Sequence, residues 1–432
     1  MEILVYIPKE TPRINFVFKH ICKRILNLDV KFTTKVEPFI AFKGVKFSYA
    51  KKQLGKEVFV EQYGLLNEQG FSDMEIKVGQ WKDIPCFFKT STSSSIPYDI
   101  FSASFYLLTR YEEYQPYVKD TSEGFPIEES IAYQNGFLER PVVDEWAFAM
   151  RDVLKDKFPE HDFPEGKPQL KSIIAVEEVF AYAQKGFVRQ IGGFFKDLSQ
   201  LQFKLIFKRI ASIIRYQADP LNVYDELVEY YQSHDYPMHF MFQLSNYSRY
   251  SKNLSYNRTT YQRIIKSMGD YAHLGLLLGF EAVQDQSVFV KEKKRWEQIV
   301  NEELDNALIK RHALNFPDVY KSMEKLNLSS DYSMGYKNSL GFRAGTCTPF
   351  LFYDLDLEQL LPLTIYPSAF NSIILADHDK NDIVERIKKI KKRILRLNGY
   401  FLGIFENKDF AEEEDANAAK QIIHIIHDKT GD

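Results

Sequence analysis

The chain has 432 residues, of which 45% are hydrophobic and 27% charged. This composition is typical of folded globular proteins and excludes a disordered or fibrous chain. The 56 Lys and Arg residues are balanced by 59 Asp and Glu residues, for a formal net charge of −3. Because nucleic-acid-binding domains usually carry a basic surplus, the charge argues against a nucleic-acid partner, and the length predicts two or three domains.

The cysteines and the N-terminus bear on the compartment. Cys22, Cys86 and Cys347 are widely separated and match neither a zinc-binding spacing nor a disulfide framework, which fits a reducing compartment. The first residues lack the basic and apolar regions of a signal peptide. The longest apolar runs, such as residues 274–280, are far shorter than the ~20 residues that span a bilayer. We therefore expect a soluble, cytoplasmic protein.

The first part of the chain is predicted to form a small α/β domain. A strand is predicted at residues 3–7, a helix at 14–26 and a buried helix at 100–114, with shorter alternating runs at 35–42 and 56–63. Residues 158–168 then contain three prolines and a glycine between two periodic segments. We place a domain boundary there, with an accessory domain over residues 1–165 and a second domain over residues 166–432.

Strand and helix patterns alternate through the second domain. The predicted strands cover residues 170–176, 238–244, 274–278, 341–344, 362–366 and 400–405. The predicted helices cover residues 194–216, 221–233, 259–271, 290–312, 382–397 and 416–428. Such alternation predicts a parallel sheet, either open or closed into a barrel.

The most distinctive local pattern surrounds Arg343. A short strand is predicted between Gly341 and Gly345, and it would direct the Arg343 guanidinium into a cleft at its carboxyl end. In parallel α/β barrels, sites are built at that end. The alternative is a buried arginine paired with a local carboxylate such as Asp331, since buried arginines are nearly always paired. The sequence leaves both interpretations open.

Several motifs, taken in order, resemble those of a known family. They are residues 96–101 (Ile-Pro-Tyr-Asp-Ile-Phe) and 110–114 (Arg-Tyr-Glu-Glu-Tyr) in the first domain, and residues 185–187, 192–193, 331–336, 341–350 and 364–367 in the second. With them, nearly the whole chain resembles two-domain members of the polysaccharide deacetylase superfamily, which are metal-dependent carbohydrate esterases. The resemblance implies an α/β fold in which a deformed (β/α) barrel of polysaccharide deacetylase type follows a smaller α/β domain.

The catalytic motifs of that family are altered in this sequence. The family's Asp-x-Asp motif falls on Ala175 and Glu177, and its histidine turn falls on residues 277–280 (Leu-Leu-Gly-Phe). The family's catalytic histidine on the last strand corresponds to Glu406, and its later aspartate falls near Ser372. Metal-assisted deacetylation needs a metal, a base and an acid, and alanine or leucine supplies none of them.

We therefore expect a polysaccharide deacetylase-like protein that is catalytically impaired. It would bind a glycan, or act as a scaffold for an active enzyme of the same surface-polysaccharide pathway, with no cofactor. The residual cleft would contain Arg343, Glu177 and Glu406. Its substrate contacts would come from Glu178, Tyr182 and Asn407.

Two alternatives remain at this point. In the first, Glu177, Glu178 and Glu406, with His273 nearby, form a rebuilt site that holds a divalent metal or acts as an acid/base pair on a carbohydrate. Against it stands the expectation that Glu177 is simply paired with Arg343. In the second, the basic amphipathic pattern at residues 194–216 lies on a membrane surface or docks a partner, although a solvated barrel helix explains the same pattern.

Overall fold

The computed structural model describes residues 1–118, 124–183, 198, 200, 203–213 and 218–429. Its first part contains a four-stranded, all-parallel sheet in the order β2-β1-β3-β4. These strands are β1 (Glu2–Tyr6), β2 (Asp29–Thr33), β3 (Lys46–Ala50) and β4 (Val58–Glu61). A separate antiparallel pair follows, made of β5 (Gly79–Trp81) and β6 (Ile84–Cys86).

Helices cover this first sheet. They are α1 (Pro12–Phe18), α2 (Val36–Ala41), α3 (Ile100–Leu108), α4 (Ile131–Gln134) and α5 (Val142–Lys157). The Thr11 hydroxyl caps α1 by accepting a hydrogen bond from the Ile14 backbone N–H at 3.1 Å. The chain then continues directly into a π-helix over Lys19–Ile25. The alternating run at residues 35–42 forms α2 rather than a strand, because only Phe39 within it is buried.

The second part is a curled sheet with nine strands among the described residues, in the order β12-β13-β11-β10-β9-β8-β7-β15-β14. Its strands are β7 (Gln169–Val176), β8 (His239–Phe242), β9 (His273–Leu278), β10 (Asn306–Ile309), β11 (Ser330–Met334), β12 (Phe350–Asp354), β13 (Gln359–Pro367), β14 (Phe370–Asn371) and β15 (Tyr400–Glu406). All neighbouring strands run parallel except β12, which is antiparallel to β13.

The sheet curls back on itself through β13 and β14. Strand β13 pairs with β11, and β14, which begins three residues later, pairs with β15. Between them the Ala369 N–H donates to the Leu402 carbonyl at 3.0 Å. Ile173, Met241, Leu277 and other buried residues from the same strands pack together as a separate interior core. The predicted α/β class with a deformed barrel is therefore confirmed by the strand order.

Helices cover the outside of the curled sheet. They are α6 (Phe203–Ile213), α7 (Tyr224–Ser233), α8 (Thr259–Gly269), α9 (Phe280–Gln284), α10 (Gln286–Val300), α11 (Asp318–Lys325), α12 (Lys380–Arg396) and α13 (Glu413–His427). A tight turn over Lys310–His312 follows β10, and a single-turn 3₁₀ helix over Asn407–Phe410 follows β15. No helix among the described residues is long and apolar enough to cross a membrane.

Two sequence predictions in this part are wrong. The helix predicted at residues 290–312 ends at Val300, and the chain then forms β10, which is almost fully buried. The segment predicted as a strand at residues 341–344 is an irregular loop that packs against the first part of the chain. In that loop Gly341 has φ = 126° and lies against the Leu138 carbonyl, where an extended strand with a side chain would not fit.

Candidate functional site

The carboxyl ends of the parallel strands bring charged residues together at one mouth of the barrel. Glu177 directly follows β7, Lys310 and Arg311 follow β10, and Glu406 is the last residue of β15. The three strand ends converge because the strands are parallel, and sites of α/β barrels are built at this end.

Glu177 is held between two cations at this mouth. Its Oε2 atom lies 2.9 Å from the Lys310 Nζ atom and 3.2 Å from the Arg311 Nη2 atom, and its Oε1 atom lies 3.1 Å from the Arg311 Nε atom. Burial would raise the pKa of Glu177, but the charges of Lys310 and Arg311 lower it. Glu177 is therefore ionised and forms a two-point ion pair with Arg311. The expected pair between Glu177 and Arg343 is not formed.

Glu406 lies behind this ion pair. Its Oε1 atom is 4.0 Å from the Arg311 Nε atom, and its second oxygen contacts Lys408. Burial, and then the charge of Glu177, raise the pKa of Glu406 to about 7. The two carboxylates thus have pKa values displaced in opposite directions and share the Arg311 guanidinium.

Arg311 reaches both carboxylates from a constrained backbone. Arg311 and His312 are consecutive non-glycine residues with φ of 55° and 53°. This left-handed conformation costs on the order of 1 kcal/mol or more for each such residue. The His312 ring is buried, its Nδ1 atom lies 2.8 Å from the Ser333 carbonyl, and burial lowers its pKa to about 4. The contact between His312 and Ser333 therefore holds the turn after β10 in place. The Arg311 side chain extends from this turn towards the carboxylates at the mouth.

The three predicted substrate contacts have different surroundings. Glu178 lies at the mouth, and its backbone carbonyl accepts a hydrogen bond from the Asn407 side-chain amide at 2.9 Å. Asn407 itself is buried, so it ties the ends of β7 and β15 together. The Tyr182 backbone N–H donates to Asp219 at 2.8 Å, and its ring lies under Arg209. Tyr182 does not line the mouth cavity described below.

Arg343 is paired with a carboxylate from the first part of the chain. It is 3% exposed, and its guanidinium makes two hydrogen bonds to Glu113, from Nη2 at 2.6 Å and from Nε at 2.8 Å. Glu113 also accepts a hydrogen bond from Arg110 Nε at 2.7 Å. Asp331 is instead bonded to Tyr320 and Ser333. A buried, paired arginine is the correct alternative, but its partner is Glu113 rather than the local Asp331.

His273 lies away from the barrel mouth. His273 is the first residue of β9, so it lies at the opposite end of the barrel, where its ring stacks on that of His239. The rebuilt-site alternative therefore does not gain His273, which is exposed. Residues 185–187 and 192–193 lie outside the described residues, as does part of the amphipathic pattern at 194–216.

A cavity of about 490 Å³ opens at the mouth beside Glu177. Its lining contains the aromatic pair Tyr250 and Phe280, whose ring centroids are 4.3 Å apart. Two carboxylates, Glu177 and Glu178, face a larger group of cations. The cations that line it are Arg249, Lys252, Lys310, Arg311 and Lys337. The cavity is therefore cationic, with an aromatic wall.

Lys310 and Arg311 are the site residues that sequence reasoning missed. The predicted helix over residues 290–312 includes both residues and so conceals β10. The signal was a short apolar run, residues 307–309, placed after the acidic pair Glu302-Glu303 and about 30 residues after β9. A strand at that spacing would have put the following Lys310-Arg311 pair at the barrel mouth.

The divalent metal that the family resemblance implies does not fit these residues. Both oxygens of Glu177 face the cationic groups of Lys310 and Arg311, which would repel a divalent ion placed there. Within the described part of the chain, no group of three or more His, Cys, Asp or Glu side chains is arranged to hold a metal. A hard cation normally requires several oxygen ligands at once.

A family model matches residues 3–159, and its description is a family of unknown function, DUF7033. No curated protein matches the chain.

Solved structures are similar to the chain at low identity. A Mycobacterium smegmatis protein assigned as a polysaccharide deacetylase is 10% identical, covers 62% of this chain and 88% of its own, and has a TM-score of 0.38. A CE4 family pseudoenzyme from Bacillus anthracis is 10% identical, covers 49% of this chain and 57% of its own, and has a TM-score of 0.29. At these TM-scores the similarities assign no activity.

Proposed function

We propose that the chain binds a carboxylated glycan at the barrel mouth and does not deacetylate it. The observation that carries this proposal is the two-point ion pair of Glu177 with Arg311, reinforced by Lys310. In this arrangement, the residue that occupies the family's metal-ligand position is neutralised by cations. A carboxylate held this way is a poor proton acceptor, because protonation would break the ion pairs.

The charge of the cavity supports an acidic ligand. Five Lys and Arg side chains and two glutamates line the cavity, so its field favours anions. Lys310 also donates to the Tyr250 carbonyl at 3.1 Å, which keeps the ammonium group beside the aromatic wall. A sugar ring that packs on Tyr250 would bring an attached carboxylate within reach of these cations. Uronic acids have this combination of an apolar ring face and a carboxylate.

The test is calorimetric titration with oligogalacturonate and, for comparison, with chitotetraose. We expect oligogalacturonate to bind, and the Lys252→Glu/Lys337→Glu variant to bind it at least ten-fold more weakly. Lys392→Glu, an exposed lysine of α12 away from the mouth, is the matched control and should leave the affinity unchanged. Equal affinity for the two oligosaccharides, or no binding of either, would contradict the proposal.

A second candidate function is a hydrolase with a rebuilt carboxylate pair. It is favoured by the opposed pKa values of Glu177 and Glu406, a pattern found in acid/base pairs. Against it, Glu406 is 4% exposed and does not line the cavity. Release of acetate or of reducing sugar from a glycan, lost in Glu406→Gln, would favour this candidate over simple binding.

A membrane-surface role for the amphipathic pattern also remains a proposal. Within the described helix α6, Phe207 is 61% exposed, and Ile210 and Ile213 are also exposed on successive turns. These side chains, with Arg209, suit an anionic lipid surface. Sedimentation with phosphatidylserine vesicles, lost in Phe207→Glu/Ile210→Glu and unchanged in Lys392→Glu, would support this role. Equal sedimentation of wild type and variant would contradict it.

A further inference from the structure

A second cavity, of about 700 Å³, lies at the end of the barrel opposite the mouth. Its barrel wall includes Gln169 and Tyr400, the first residues of β7 and β15, together with Tyr366 of β13. Its other wall is the π-helix over Lys19–Ile25, which belongs to the first domain. The cavity is thus formed jointly by the two parts of the chain, and its size is that of small-molecule sites.

The π-helix places basic residues on the face that lines this cavity. Lys19, Lys23 and Arg24 contribute from the helix, and Lys167 contributes from the segment before β7. The described lining contains no aspartate or glutamate. Among the described residues, the one carboxylate within 4.0 Å of these four cations is Asp29, at 3.9 Å from Lys23 in an exposed pair. Uncompensated cations around a concave surface attract anions. π-helical segments also occur frequently at functional sites.

A buried histidine within the same lining lacks one hydrogen-bond partner. The His20 Nε2 atom lies 3.4 Å from the Thr346 hydroxyl oxygen, which itself donates to Asp144 at 2.7 Å. Nε2 therefore carries the proton, and Nδ1 has no partner among the described residues. Burial, and then the charge of Arg24, lower the pKa of His20 to about 3, so the ring is neutral. This buried acceptor needs a donor, which a hydroxyl of the organic part of a ligand or a water molecule would supply, whereas ionised phosphate oxygens would not.

We propose that this cavity binds a diphosphate ester, with its phosphates among Lys19, Lys23, Arg24 and Lys167 and its organic part against Tyr366. Four cations exceed what a single carboxylate requires, whereas a diphosphate carries several negative charges and accepts hydrogen bonds from arginine. Arg24 and Tyr366 line the same cavity. An ester would therefore contact a cation and an aromatic ring at once.

The experiment is calorimetric titration of the full chain with ADP and with inorganic pyrophosphate. We expect ADP to bind more tightly than pyrophosphate, and its affinity to fall as sodium chloride is raised. In the Lys19→Glu/Arg24→Glu variant the affinity for ADP should fall at least ten-fold. The control Lys9→Glu, an exposed lysine of the first domain outside the cavity, should leave it unchanged.

A second measurement does not depend on variants. Amine labelling of the wild-type chain, read by mass spectrometry, should show Lys19, Lys23 and Lys167 protected by ADP while Lys392 stays reactive. No binding of either compound, equal affinity for both, or binding unaffected in Lys19→Glu/Arg24→Glu would overturn the proposal. ADP binding lost instead in Lys252→Glu/Lys337→Glu would place the ligand at the mouth and would also overturn it.

Discussion

The Arg343 guanidinium and the Glu113 carboxylate lie 230 residues apart in the sequence and form a two-point ion pair, with N–O distances of 2.6 and 2.8 Å. Both side chains are almost completely buried. Arg110, which has a left-handed backbone at φ = 54°, donates to the same Glu113 and to the Arg343 carbonyl. Residues 110–113 and the loop that carries Arg343 are therefore joined in one buried network.

Removing the shared carboxylate should destabilise the whole chain. Glu113→Gln leaves Arg343 and Arg110 buried with much less compensation, and breaking a buried pair in this way typically costs about 3–5 kcal/mol. We expect a loss of that size in the free energy of unfolding, measured by urea denaturation. Glu129→Gln, an exposed glutamate of the same domain, should cost less than about 0.5 kcal/mol. A loss below about 1 kcal/mol in Glu113→Gln would show that the network contributes little to the free energy of unfolding.

The loop that carries Arg343 should not tolerate a side chain at Gly341. A Cβ atom there would lie 2.4 Å from the Leu138 carbonyl oxygen, and φ is 126°. We expect Gly341→Ala to lower the free energy of unfolding by about 2–3 kcal/mol through overpacking and backbone strain. Gly136→Ala is the matched control, because its φ is also positive but nothing lies within 4 Å of the added atom. Equal losses in thermal denaturation would exclude the close contact as the cause.

Sequence periodicity predicts most of this fold but not the contacts between its parts. Continuous apolar runs indicate β7, β9 and β15, because most residues of these strands are buried on both faces of the sheet. Strand β10 is missed because its four residues follow a charged helix without a strong break. Periodicity therefore predicts the α/β class and a parallel sheet, the family resemblance implies the barrel, and neither predicts the exact strand set.

The candidate site is predictable only in part for a similar reason. Glu177 and Glu406 come together because each ends a parallel strand, and strand ends can be found from sequence. The partner of Arg343 could not be found, because Glu113 lies 230 residues earlier in the chain and no local pattern links the two. The basic turn at Lys310-Arg311 was hidden by the wrong helix prediction. A long-range ion pair requires the tertiary structure.

Neutralising Glu177 should strengthen binding of an acidic ligand. In Glu177→Gln, Lys310 and Arg311 lose the carboxylate with which they are paired, so the net positive charge of the mouth increases. We expect the affinity for oligogalacturonate, measured by calorimetry, to rise about three- to ten-fold, which corresponds to roughly 1 kcal/mol. Glu303→Gln, an exposed change away from the mouth, should have no effect. Weaker binding in Glu177→Gln would indicate that Glu177 itself contacts the ligand.

The raised pKa of Glu406 should appear in the pH dependence of stability. Its pKa is about 7 in the folded chain against an ordinary value of 4.5, so folding favours the protonated form. The resulting stabilisation is fully present below pH 4.5 and is lost as the pH rises through 7. Glu406→Gln stays neutral, so its stability relative to wild type should rise by about 2–3 kcal/mol between pH 4 and pH 8. A pH-independent difference in urea denaturation would contradict the raised pKa.

The most direct test of the central claim is the divalent-metal stoichiometry of the purified chain after stripping and reconstitution with zinc, cobalt or manganese. The Glu177 carboxylate is paired with Lys310 and Arg311, so we expect no stoichiometric metal at the barrel mouth. Mass spectrometry should find the same amount of bound metal in Glu177→Ala as in wild type. One tightly bound metal per chain, lost in Glu177→Ala, would contradict the account. That result would favour metal-dependent hydrolysis over glycan binding as the function of the mouth.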